Sequence, residues 1–216
     1  MKRGLAKLAC SNAVVVLALF ALAPSDAGAG TFSFSGASSG TTANVPIDLD
    51  GTNCGPVNGV LTCPADSGLG TGGGSMRGFP GSGPGTFQIV IEDVPVPGTG
   101  CSLAPSTQQG CTVGSAIDGC LYSYVPGGSG VTRTTATGDL LIYSYTSGTV
   151  CVNFDTPLPW SLEGQAAAVI TGGTGGMANA TGSFTGPFHG QILQSDPAGH
   201  GLGWFTASIK GTITLP

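Results

Sequence analysis

Residues 163–186 read EGQAAAVITGGTGGMANATGSFTG, and the choice between two folds turns on them. Gly173-Thr174-Gly175-Gly176-Met177-Ala178 fits the dinucleotide fingerprint G-x-G-x-x-A and follows an apolar run. That fingerprint works only when a helix comes next, because the helix N-terminus holds the pyrophosphate. Here Asn179-Ala180-Thr181-Gly182-Ser183-Phe184-Thr185-Gly186 follows, which is turn and strand material. Nucleotide binding is set aside on that ground. The segment reads instead as a long β-hairpin connection, with glycines taking positive φ at turn and bulge positions. Ala166-Ala167-Ala168 suits a helix by itself, but Gly164 and Gly172 flank it and β-branched Val169-Ile170-Thr171 follows. It reads as a strand whose small side chains allow close packing.

The chain on either side of this hairpin alternates with period two, as half-buried strands do. Trp204–Leu215 puts Phe205, Ala207, Ile209, Ile213 and Leu215 on an inner face, and Thr206, Ser208, Lys210, Thr212 and Thr214 outside. Thr31–Gly36 pairs Phe32 with Phe34 on one face, and Thr86–Val94 does the same with Phe87, Ile89 and Ile91. Cys120–Val125, Asp139–Thr146 and Thr149–Asp155 are further strand candidates. Pro126-Gly127-Gly128, Ser147-Gly148, Gly172-Gly173 and Pro197-Ala198-Gly199 read as turns between strands. Gly68–Gly85 is so rich in glycine that it is expected to be the most mobile stretch. The fold class expected is all-β: an antiparallel β-barrel of about eight strands, with a β-sandwich as the alternative.

Composition agrees with that class. The 216 residues include 39 Gly and 15 Pro, only 8% are charged, and the net charge is −5. Lys2, Arg3 and Lys7 precede an apolar run, Ala13–Ala23, and then small residues, which is the layout of a secretory signal peptide. Residues 1–29 are assigned to it, with cleavage after Ala27 or Ala29, and residues 30–216 to a single β domain. The apolar run is shorter than the about 20 residues a membrane span needs. The protein is therefore expected outside the cytoplasm, secreted or periplasmic. Cleavage removes Cys10 and leaves Arg77, Arg133 and Lys210 as the basic residues. So few cations cannot neutralise a run of phosphates, so nucleic acid is excluded as a partner.

The remaining cysteines are Cys54, Cys63, Cys101, Cys111, Cys120 and Cys151, an even set suited to disulfides in an oxidising compartment. Sequence does not choose among the connectivities; Cys54 and Cys63 bracket a short loop that suits a local bridge. Cys101–Cys111 with Cys120–Cys151, and Cys101–Cys120, both stay open. No C-x-x-C pair occurs and the chain has 2 His, so no metal and no cofactor is called. Asp48–Asn53 lacks most of a calcium loop's ligands and reads as a turn.

VITGGTGGMANATGSFTG resembles the GGTGRFAGATG signature of the dirigent and allene oxide cyclase barrel superfamily, including its secreted bacterial members. The likeness extends over residues 131–216, through GDLLIYSYTSGTVCVNF, FHGQIL and the closing GTITLP. Gly176 and Met177 stand where that signature has Arg-Phe, and the cysteines and the Gly/Pro-rich N-terminal half also depart from it. The resemblance implies an eight-stranded antiparallel barrel around an apolar cavity. Dirigent members steer coupling of phenoxy radicals, and cyclase members hold a lipid epoxide in one ring-closing shape. No catalytic residue carries over, because the match covers a hairpin.

Chemistry-bearing residues are sparse. The ligand-pocket candidates are Tyr122, Tyr143, Tyr145, Arg133, Glu163 and His189. His189 and His200 sit in no recognisable triad, and Glu92 and Asp93, as strand neighbours, point to opposite faces. The leading functional expectation is a secreted barrel that binds a small apolar or aromatic molecule. Alternatives are a structural or adhesive extracellular protein, which the Thr/Ser faces suit, and a cyclase or isomerase acting through pocket shape. A homo-oligomer through an outer face is open, but no specific residue points to one.

Overall fold

The computed structural model describes residues 29–45, 55–57, 60–62, 67–100, 120–125, 127–153, 157–195 and 201–216. Residues 1–28, which hold nearly all of the expected signal segment, and Cys54, Cys63, Cys101, Cys111, Asp48–Asn53, Pro197–Gly199 and His200 lie outside the described residues. The strands are β1 (Gly30–Val45), β2 (Gly55–Val57), β3 (Val60–Thr62), β4 (Ser67–Arg77), β5 (Pro84–Gly100) and β6 (Cys120–Tyr124). β7 (Ser129–Thr134), β8 (Leu140–Asn153), β9 (Trp160–Gly173), β10 (Thr181–Ser195) and β11 (Gly201–Leu215) complete the set. β2 and β3 form a separate small hairpin. No helix among the described residues is long and apolar enough to cross a membrane.

The other nine strands form one antiparallel sheet, β4-β1-β11-β10-β9-β8-β6-β5-β7, which closes into a ring through β4–β5 and β7–β8 pairing. β6 and β7 lie end to end between β5 and β8. β6 pairs with Thr149–Val152 of β8, and β7 with Leu140–Ser144. They share one place, so the ring has eight places around it. Gly127, at φ 116°, lies in the break between them. A ring of this size encloses a space that side chains nearly fill.

Two expectations are corrected by the pairing. Gly68–Gly85 is not a loose segment: most of it is β4, hydrogen-bonded on one side to β1 and on the other to β5. Ser147-Gly148 is not a turn. β8 runs through it as one strand, with a bulge between Tyr145 and Ser147. One extra residue there resets the two-residue period. Leu141, Tyr143 and Tyr145 face inward before the bulge, and Val150 and Val152 remain buried after it.

One pairing recurs in the interior. Several inward aromatic rings lie directly across the ladder from a glycine: Phe87 opposite Gly72, Tyr143 opposite Gly130, Phe188 opposite Gly164, Phe205 opposite Gly190. Phe34 and Phe184 both oppose Gly211. Each ring lies over a bare Cα, and a Cβ on Gly130 would strike the Tyr143 ring. Burying the aromatics offsets the weak strand preference of glycine. Outward positions on the same strands are Ser and Thr, aligned in rows such as Thr181–Thr214–Thr31 and Ser183–Thr212–Ser33.

The glycine motif is a hairpin connection, as expected, and it plugs one end of the ring. After β9 the chain makes a 3-10 turn, Gly175–Met177. Thr174 and Leu140 exchange two hydrogen bonds, from Thr174 N to Leu140 O and from Leu140 N to Thr174 Oγ1, both 2.9 Å. Gly176 N donates to Asp139 Oδ2 at 3.1 Å. Asn179 sits at φ 60° and Gly175 at φ 56°. This geometry buries Met177 and Ala180 in the core with Phe79, Ile213 and Leu215.

Candidate functional site

Two buried clusters occupy the ring. The larger contains Phe34, Met76, Leu141, Tyr143, Phe184 and Ile213, with the Met177 plug at its end. The smaller contains Val150, Val152, Leu162 and Ile192, with Tyr122, Trp160 and Phe188 packed against it. A cavity of about 90 Å³ opens within the first. Its position follows from register. Gly74, Ser38 and Ala207 stand side by side on β4, β1 and β11 and all line it. Three small residues in one row leave space that the surrounding rings do not fill. Those rings are Phe34, Phe87, Phe184, Phe205, Tyr143 and Tyr145, with Met76, Ile89 and Ile209 among them. Among the described residues no charged side chain lines the cavity.

The polar groups on the wall are hydroxyls. Tyr143 and Tyr145 meet edge to face at 5.8 Å, and Tyr143 packs edge-on to Phe184 at 5.0 Å. Behind them Tyr124 lies edge-on to Tyr145 at 5.8 Å and stacks on Phe188 at 6.5 Å. Thr132 and Tyr145 both hydrogen-bond to the Tyr143 phenol. Burial raises the Tyr143 phenol above its usual value, and those two bonds oppose the rise. Tyr145 is pushed well up, first by burial, then by the neighbouring Tyr143 and Tyr124 and its bond to Tyr143. Burial, with Asp93 adding to it, raises Tyr124 strongly. All three phenols stay protonated through the physiological range, so they serve as neutral hydroxyls and not as bases or nucleophiles.

The six pocket candidates fall in three places. Tyr143 and Tyr145 line the cavity together. Tyr122 lies inside the ring, against the smaller cluster. Arg133, Glu163 and His189 are exposed on the outer surface. Glu163, His189 and Thr206 form one row across β9, β10 and β11. Thr206 Oγ1 lies 3.0 Å from His189 Nε2, and the imidazole meets Trp204 edge-on at 6.5 Å. This row borders a shallow outer groove of about 440 Å³ lined by Ser39, Pro187 and Ser208. A carboxylate, an imidazole and a hydroxyl in line invite comparison with a hydrolytic triad. An acyl-transfer site also needs amide donors aimed at a developing oxyanion, and here the neighbouring amides belong to the sheet ladders.

Of the cysteines, Cys120 and Cys151 fall within described strands. Cys120 pairs with Val152 and Cys151 with Leu121, so the two are one step out of register. The cavity residues that the candidate set lacked are Phe34, Phe87, Phe184, Phe205, Ile209 and Thr132. Alternation marks most of these as inward, but which of them meet depends on strand order and register.

Fold and site together define an all-β protein built on one closed antiparallel sheet with an uncharged, aromatic-walled cavity inside it. No protein-family model, no curated protein and no solved structure matches the chain.

Proposed function

We propose that this protein is an exported, disulfide-bonded barrel of dirigent or allene oxide cyclase type that binds a small neutral apolar or aromatic molecule in its interior. The observation that carries the reading is the uncharged cavity walled by six aromatic rings. Its volume, about 90 Å³, limits the occupant. Apolar cavities of about 150 Å³ take benzene, and drug-sized ligands need roughly 300 Å³ or more. The cavity as it stands is then smaller than benzene needs, and a single-ring ligand requires the wall to yield. Raised tyrosines supply no strong acid–base chemistry, so any isomerase or cyclase action would rest on shape. Export is supported by the N-terminal layout and by β1, which starts at Gly30, directly after the second cleavage position. It is also supported by the even set of six cysteines left after cleavage, which suits an oxidising compartment.

The structural or adhesive reading has its own observation, the aligned Ser/Thr rows on the outside of β10, β11 and β1. Native mass spectrometry of protein from an oxidising host, with organic extraction of anything bound, separates the two. A stoichiometric small apolar molecule is the expected result. An empty protein that ignores a panel of single-ring compounds would favour the structural role.

A further inference from the structure

Asn179-Ala180-Thr181 carries chemistry that neither the ring nor its cavity uses. It is the only Asn-x-Ser/Thr triplet in the chain. In an exported protein such a triplet accepts an N-linked glycan where it lies at the surface. The fold puts it there. Asn179 is exposed in the connection between β9 and β10, at φ 60°. Asparagine is among the few residues that take this backbone shape readily. Hydrogen bonds on either side, from Ala178 N to Gly175 O at 3.1 Å and from Ala180 N to Met177 O at 3.0 Å, hold the turn. Thr181 opens β10, exposed and opposite Thr214. Ala180, between the two, is wholly buried. The triplet thus presents its two reactive residues to solvent and anchors the middle one in the core. Asn179 is not among the residues that line the cavity, so a bulky group on it leaves the interior untouched.

We infer that Asn179 is a modification site, the acceptor of an N-linked oligosaccharide at the plugged end of the ring. This rests on the export reading above. In the transfer, Asn179 Nδ2 bonds to the anomeric carbon of an oligosaccharide carried on a lipid pyrophosphate. The bond from that carbon to the pyrophosphate oxygen breaks, the lipid pyrophosphate leaves with the electron pair, and the amide nitrogen gives up one proton. In the folded chain the core holds Ala180 and the β10–β11 ladder holds Thr181, so the transfer precedes closure of the β9–β10 hairpin. The finished fold then accommodates the glycan, because Asn179 stands in solvent.

The test expresses the full chain, with its own N-terminal segment, in a eukaryotic secretory host. The product is expected in the medium with one glycan attached. Peptide N-glycosidase should remove the glycan and turn the Asn179 amide into a carboxylate, read by peptide mass spectrometry without any variant. Thr181→Ser should keep the glycan, and Thr181→Ala and Asn179→Asp should lose it. Asp also tolerates positive φ, and Thr181 is exposed, so both variants should still be secreted. A secreted chain with Asn179 unmodified would overturn the site and leave export standing. A glycan that survives Thr181→Ala would overturn it too. A chain held in the cytosol would overturn the export reading. The same chain behind a host leader then decides the site separately: a glycan on Asn179 upholds the acceptor, and a free amide overturns it.

Discussion

The two faces of one sheet follow opposite rules. Inside, several rings take the space that a glycine leaves across the ladder: Tyr143 needs Gly130, Phe87 needs Gly72, Phe188 needs Gly164. Outside, Ser and Thr stand in rows and few of them need a particular partner. Thr31 and Thr214 bond through their hydroxyls at 2.8 Å, in an exposed pair of little energetic weight. The difference teaches that glycine has two meanings in this chain. On the inner face it is a space for a ring, and on the outer face it is merely the absence of a side chain.

The largest break in that contrast is expected from Phe184→Ala, which empties the centre of the main cluster. It should cost about 4 kcal/mol in chemical denaturation. Gly130→Val should follow, at about 3 kcal/mol or outright failure to fold, because the new side chain meets the Tyr143 ring. Gly73→Ala is its control. Gly73 faces outward, and the nearest atom to an added Cβ is Gly85 O at 3.5 Å, an ordinary contact. That change should be neutral or stabilise by about 0.5 kcal/mol. The inner face should also show itself in alkali. Tyr143 and Tyr145 hold their protons more tightly when folded than when unfolded. The folded state thus binds more protons above the ordinary phenol range, and stability should fall as pH rises through 10 and beyond. Tyr145→Phe should flatten that decline. The smallest effect is expected outside, where Thr212→Ala should shift stability by no more than about 0.5 kcal/mol.

Much of the inner rule was legible in the chain. The alternation in Trp204–Leu215 marked Phe205, Ala207 and Ile209 as inward, and all three line the cavity. The material after Ala178 excluded a dinucleotide helix, and a hairpin connection stands there. What stayed hidden was non-local. Gly68–Gly85 looks unstructured by composition, since the pairing that makes it β4 comes from Phe87 and from β1, outside most of its own length. The bulge after Tyr145 cannot be seen until Val150 is found buried against β9. The cavity itself depends on Gly74, Ser38 and Ala207 falling into one row. No local pattern links residues so far apart in sequence. Glu163, His189 and Thr206 share an outer row for the same reason and were equally invisible as a group.

Methyl-resolved NMR of the protein tests the central claim most directly, because Met76, Ile89 and Ile209 place methyl groups on the cavity wall while Ile142 and Val169 report the outer face. On titration with benzonitrile the account predicts saturable shifts at Met76, Ile89 and Ile209 and none at Ile142 or Val169. Shifts confined to the outer methyls, or none at all up to the solubility of the probe, would contradict an interior binding site.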